Sequence, residues 1–325
     1  MIRLPPPDPR RLARTLLRIF HRFDYGHLLP LMAGLPLTIG YALAAWRGKF
    51  AAACGSDWRS MAHGCRHVSR ETLAGYRLLA PGTDGAAYRG WHAQRFATES
   101  REEFEAQLVA AGRVEQLQCE VSPAIEQLCR NRRRGLVLLT PHFDSFFLGV
   151  AFLGRSGGTI NLMTSAITRD PRIPVEVQRH FATKYRGLEH YLNGGRTLDM
   201  ESGLRPFYRL LTANETLVVL ADAPVLPGGA DSTADFLGAP RLLSGGPVRL
   251  AGRTGSELGC FVCRYLGGNR YRIELGPLGA ADDPTMVQQI YRFFSTAIEQ
   301  QPGRWWAADL LPAMTIATAA AGETP

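Results

Sequence analysis

The stretch GLVLLTPHFDSFFLG, Gly135 to Gly149, decides how this chain is read. Its first half is a short, wholly apolar run, as expected of a strand buried on both faces of a parallel sheet. The run stops at Thr140-Pro141, and a helix is expected to begin near Ser145, with Asp144 or Ser145 placed to cap it. His142 therefore falls on a strand-to-helix turn. In an open α/β sheet the carboxyl ends of strands border the ligand crevice, and a helix N-terminus offers free N–H groups there. A histidine at that place is suited to take a proton from an attacking hydroxyl.

Downstream of this stretch, short apolar runs recur between helical ones: TINLMT (159–164), ETLVVLAD (215–222), ELGCFVCRYL (257–266) and YRIELGP (271–277). That rhythm predicts an α/β sheet covered by helices. Upstream, residues 47–134 are expected to be helical and to pack on the core, as in REEFEAQLVAAGRVEQL. Residues 27–46 carry no formal charge with histidine neutral and approach the length of a bilayer core, but Pro30 and Pro36 interrupt them. A kinked span, an interfacial segment and a buried helix pair all fit that pattern. Residues 1–26 are basic. From Arg10 to Arg22 arginines alternate with Leu12, Leu16, Leu17, Ile19 and Phe20, as in a helix lying on an anionic lipid surface. The expected organisation is thus a basic segment 1–26, an apolar membrane-associated segment 27–46, a helical region 47–134, an α/β domain 135–313 and a frayed tail 314–325.

Composition narrows the partners. The 325 residues are 46% hydrophobic and 20% charged, with a formal charge of +8, and Lys49 and Lys184 are the only lysines. An arginine-based excess suits phosphate or carboxylate groups: an anionic phospholipid, a phosphorylated glycolipid or an acidic carrier protein. The arginines are not interleaved with aromatics in one segment and no nucleic-acid motif is present, so nucleic acid is not expected as a partner. Six cysteines without a secretory cleavage pattern suggest a reducing, cytosol-facing setting. Cys260 and Cys263 sit in an apolar strand, and His63 and His67, near Cys54 and Cys65, lack the pattern of a metal site; no metal or cofactor is expected. The signatures of P-loop, zinc-hydrolase and dinucleotide-binding sites are missing.

Several blocks, in order from about Leu28 to Leu310, resemble the lipid A late acyltransferases, the lauroyl- and myristoyl-transferring group of the lysophospholipid acyltransferase superfamily. LLTPHF is similar to their strand followed by His-x4-Asp/Glu. LVVLADAPVLPGGADSTADFLGAP is similar to their Asp, Gly-rich and Phe-Gly block, and LLSGGPVRLAGRTGSEL to their Gly-Pro block. NRYRIELGPL with IEQQPGRWWA is similar to their last strand and closing Pro-x-x-Trp segment. The resemblance implies a glycerol-3-phosphate acyltransferase-like fold, a mixed, mostly parallel sheet flanked by helices behind a membrane-associated N-terminal segment. It implies transfer of a fatty acyl group from acyl carrier protein or acyl-coenzyme A to a hydroxyl of a membrane lipid or glycolipid, without metal or covalent intermediate, at the cytoplasmic face of a bacterial inner membrane.

It also implies roles. His142 deprotonates the acceptor, and a carboxylate in the following helix holds the imidazole. The acidic position of the motif is Phe147 here, which cannot do this. Asp144, in the same turn, is the first substitute, and Asp222, at another strand's carboxyl end, is a second. Arg186, with Arg179 or Arg169 as alternatives, matches an arginine facing the acceptor's phosphate or glycan. Phe236, Gly238 and Gly245 would close the crevice. A chain with no orienting carboxylate would be a non-catalytic lipid- or carrier-binding homologue. The usual basic ending after Pro-x-x-Trp is replaced by AADLLPAM, and Cys260 stands where proline is usual, which marks a divergent branch.

Overall fold

The apolar run Leu136–Thr140 (β2) is buried at every residue, because it lies in the middle of a seven-stranded sheet with neighbours on both edges. In a computed structural model describing residues 9–64, 66–130, 132–165, 170–225 and 230–317, the chain begins with helices. These are α1 (Pro9–Phe23), a π-helical turn (Asp24–Leu28), α2 (Leu29–Gly34), α3 (Leu37–Cys54), α4 (Ser60–His63), α5 (His67–Leu79) and α6 (Gly85–Ala110). Strand β1 (Gln118–Glu120) and helix α7 (Pro123–Arg130) precede β2, which is followed by α8 (Phe146–Arg155), β3 (Ile160–Thr164), α9 (Val175–Glu189) and β4 (Thr197–Asp199). Then come α10 (Arg205–Thr212), β5 (Thr216–Leu220), the hairpin β6 (Ala230–Phe236) and β7 (Ala239–Ser244), α11 (Gly246–Thr254), β8 (Glu257–Gly267), β9 (Arg270–Ala280) and α12 (Met286–Gln300).

The sheet order is β1-β9-β8-β2-β5-β3-β4, and every pair is parallel except β8 with β9. This is the expected mostly parallel sheet flanked by helices. Two apolar clusters cover its faces. One includes Phe104, Leu138, Phe147 and Val218, and the other Val137, Leu217, Phe236 and Trp305. Alternate residues of β2 and β5 thus serve opposite layers, as the strand period demands. Cys260 and Cys263 are buried free thiols on β8, in keeping with a core strand.

Two parts of the upstream region position the core. Residues 27–46 do not form one helix. Leu35 is extended, Pro30 stands at the start of α2, and Pro36 takes an extended ψ of 140° just before α3. Proline lacks an N–H and disfavours helix in the residue before it, so the apolar run is cut into short pieces. No helix among the described residues is long and apolar enough to cross a membrane.

Helix α6 buries charged side chains as well as apolar ones, because α2, α3, α5, α8, α9 and the turn Pro302–Arg304 all pack on it. Its acids are matched by cations: Glu103 by Arg47, Glu102 by Lys184, Glu99 by Arg95 and Glu105 by Arg101. The charges between apolar positions in REEFEAQL therefore mark a buried ionic layer, not a solvated face.

Candidate active site

His142 and Asp222 meet because of register. Parallel β2 and β5 pair Thr140 with Leu220, so the residues two beyond each, 142 and 222, emerge side by side at the carboxyl edge of the sheet. The Asp222 side chain is fully buried. One of its oxygens, Oδ1, lies 2.7 Å from His142 Nδ1. The other, Oδ2, accepts from the His142 backbone N–H and from Trp305 Nε1–H, each at 2.7 Å. With two N–H donors on Oδ2, Oδ1 is left to face the ring, and a carboxylate oxygen there selects the tautomer with the proton on Nδ1. That leaves Nε2 as the basic nitrogen. The ring is partly exposed and is packed by Trp306 (centroids 4.5 Å apart) and Phe146 (5.3 Å).

Asp144 lies elsewhere. It adopts a left-handed conformation (φ 54°), which aspartate tolerates better than most residues. Its buried carboxylate takes Arg101, Arg304 Nη1 at 2.6 Å and the Tyr265 backbone N–H at 3.0 Å. It neither touches the imidazole nor caps α8. Ser145 is not a side-chain cap either: its hydroxyl donates to Glu105 Oε1 at 3.1 Å. The turn is pinned by backbone bonds, from Asp144 N–H to the Arg304 carbonyl, from Ser145 N–H to Cys263 and from Trp306 N–H to His142. Phe147 is buried in the core with the Lys184 ammonium 4.3 Å from its ring centroid.

The other expected site residues are dispersed. Arg179 and Arg186 are exposed on α9, and Arg186 donates to the Ala182 carbonyl of its own helix. The residues α9 turns inward include Val177, His180, Phe181, Lys184 and Leu188. Arg169 lies outside the described residues. Phe236 is fully buried against Tyr291 and Trp305, behind the carboxylate rather than over the crevice. Gly238 (φ 78°) makes the β6–β7 turn, and Gly245 precedes α11. Ser244 and Gly246, on either side of Gly245, line a cavity of about 400 Å³ walled mainly by apolar side chains, including Leu139, Val219, Leu243 and Leu250. His142 does not line it, but Ala221, next to Asp222, does, as does Tyr291, whose hydroxyl donates to the Ala221 carbonyl.

Two sets of residues were not anticipated in these roles. Trp305 and Arg304, in the closing Pro-x-x-Trp segment, hold Asp222 and Asp144. The segment's place at the end of the matching blocks was the available signal. Arg101 and Glu105 on α6 support the turn from below, with nothing in their spacing to show it. Burial pushes the Glu105 carboxyl up to about 7 despite Arg101 at 3.1 Å. A carboxyl raised from 4.5 in the folded state favours folding below that value, and the advantage is lost as pH rises through about 7. Glu105→Gln should therefore flatten the pH dependence of unfolding free energy between those limits by about 3 kcal/mol. Urea titrations of both proteins across that range are the check, and identical slopes would refute it.

No individual curated protein matches the chain. The sequence profile of the bacterial lipid A biosynthesis acyltransferases matches residues 96–307, a span that begins in α6 and takes in β2, β5, the histidine, its carboxylate and the Trp305 segment. With most of its length so matched and with that sheet, the chain belongs to the bacterial lipid A biosynthesis acyltransferase family, whose chemistry is acyl transfer to a lipid.

Proposed function

We propose that this protein transfers a fatty acyl group from a thioester, carried by acyl carrier protein or coenzyme A, to a hydroxyl of a membrane lipid or glycolipid at the cytoplasmic face of a bacterial inner membrane, with His142 as general base. The single observation that carries the proposal is the 2.7 Å contact between His142 Nδ1 and the buried Asp222 carboxylate, which makes Nδ1 the donor and Nε2 the acceptor of a partly exposed side chain. The acceptor O–H gives its proton to Nε2 as its oxygen bonds to the thioester carbonyl carbon. The C–S bond then breaks, and the leaving thiolate takes the proton from the imidazolium. Asp222 stabilises that imidazolium without itself being protonated.

The apolar cavity beside Ala221 suits the acyl chain, since it is within the size range of small-ligand sites and adjoins the carboxyl edge of the sheet. The reading of a non-catalytic binder rests on Phe147, and the Asp222 carboxylate beside His142 weighs against it. The test is acyl transfer from acyl carrier protein and from acyl-coenzyme A to a bacterial lipid extract, followed by mass spectrometry. His142→Ala should lower the rate at least ~10³-fold. Folded wild-type protein that transfers from neither donor, or a His142→Ala variant as fast as wild type, would refute the proposal.

A further inference from the structure

Asp222 has to present one carboxylate oxygen to the imidazole and keep it there, but the sheet does not hold its side chain. It lies beyond Leu220, the last residue of β5, and the pairing with β2 ends in the bond from the Ala221 N–H to the Thr140 carbonyl at 3.0 Å. An aspartate carboxylate turns about a broad, roughly two-fold torsion, so nothing in the side chain itself tells its two oxygens apart. Two of the groups that meet it belong to His142: the backbone N–H on Oδ2 and the ring Nδ1 at Oδ1. Among the described residues, the one hydrogen-bond donor to this carboxylate from any other residue is Trp305 Nε1–H, 2.7 Å from Oδ2.

Trp305 is in turn fixed from several sides. Its ring is fully buried and lies edge-on to Phe236 of β6, with centroids 6.1 Å apart, and Phe236 packs on Tyr291 of α12 at 5.2 Å. Its backbone N–H donates to the Pro302 carbonyl at 3.1 Å, and it forms an antiparallel bridge with Phe143. Its neighbours grip the same turn, since Trp306 N–H donates to the His142 carbonyl and the Arg304 carbonyl accepts from Asp144 N–H. The indole therefore refers the carboxylate to the β6–β7 hairpin and to α12, neither of them part of the main sheet.

We propose that the Trp305 indole N–H is a positioning group for acyl transfer: by holding Oδ2 it leaves Oδ1 to face His142 Nδ1, and so keeps the ring in the tautomer whose Nε2 accepts the proton. The proposal rests on the acyl-transfer reading with His142 as base. Trp305 has no exposed surface and acts only through Asp222. A catalytic pair keeps its geometry when the residues behind it are locked by packing and hydrogen bonds. Without the indole donor, every remaining hydrogen bond to the carboxylate comes from the residue it is meant to orient, and the pair loses its reference to the rest of the fold.

The experiment removes the N–H in two ways. Trp305→Phe deletes it with part of the ring. Biosynthetic replacement of tryptophan by benzothienylalanine, in which sulfur stands for the indole N–H, deletes it with almost no change of shape. The chain has five tryptophans, and among the described residues only the Trp305 indole N–H donates a hydrogen bond within the protein, so the analogue reports on this bond. Either change should lower kcat about 10- to 100-fold with KM within about twofold. In ¹⁵N NMR, the form of His142 protonated at Nδ1 should lose population. The analogue placed in Trp305→Phe should lower kcat no further. Thermal melting establishes folding, and if Trp305→Phe does not fold, the analogue-substituted wild-type sequence carries the test. A folded analogue-substituted protein with wild-type kcat would overturn the proposal. So would a further loss of the same size in the Trp305→Phe background, which would put the cause at another tryptophan, or a loss with the tautomer unchanged, which would make Trp305 a packing residue only. The NMR reading needs no turnover: an inactive wild type or a fully active His142→Ala is a failure of the acyl-transfer reading, whereas an unchanged tautomer is a failure of this one.

Discussion

Asp222→Asn is expected to abolish acyl transfer while leaving the protein folded, with a loss of about 10⁴ in rate. The reason is tautomeric. In the wild type, Oδ2 accepts from His142 N–H and Trp305 Nε1–H, and Oδ1 faces His142 Nδ1. An asparagine has one accepting oxygen, and two fixed N–H donors claim it. Its NH₂ group must then face Nδ1, which has to become the acceptor, and the ring proton moves to Nε2. A histidine protonated at Nε2 cannot take a proton from a hydroxyl. The two donors keep their acceptor, so stability changes little. Steady-state transfer assays give the rate, and ¹⁵N NMR of the imidazole reports the tautomer. A variant within tenfold of wild type would show that Asp222 is not the orienting group.

Much of this site is legible in the sequence, and the part that is not has a definite physical cause. A run such as LVLLT followed by Pro-His announces a strand ending at a crevice, and LVVLAD announces a second. What spacing cannot supply is the alignment of two strands 80 residues apart. Only the pairing of Thr140 with Leu220 makes Asp222, rather than the nearer Asp144, the neighbour of His142. Asp144 looks suitable because it is close in sequence, but its left-handed backbone turns its carboxylate to Arg101 and Arg304. Local sequence also failed along α6. Its spacing marks a helix but not the partners of its acids, because the cations that neutralise Glu102 and Glu103 come from Lys184 and Arg47 in distant segments. The hairpin β6–β7 escaped because its strands pair mainly with each other, outside the main sheet, and so lack a buried strand's continuous apolar signature.

The second large effect is on stability and separates the two aspartates. Asp144→Ala should destabilise the fold by about 4 kcal/mol, in the range for removing one partner of a buried ion pair. The Asp144 carboxylate joins three parts of the chain: α6 through Arg101, β8 through the Tyr265 N–H and the closing segment through Arg304. Without it Arg101 keeps Glu105 and Arg304 keeps the Tyr265 carbonyl at 2.8 Å, but their remaining donors face protein instead of water. Alanine also tolerates the left-handed backbone less well than aspartate does. Asp144→Asn keeps the shape and some of the hydrogen bonds, so its cost should be about half as large. Urea unfolding measures both. Because the strut fixes the turn that carries His142, the folded fraction of either variant should transfer acyl groups more slowly than wild type but far faster than Asp222→Asn. If Asp144→Asn were fully stable and as inactive as Asp222→Asn, the roles of the two carboxylates would have to be exchanged. A stable, fully active Asp144→Ala would instead mean that the backbone bonds to Arg304 and Cys263 hold the turn unaided.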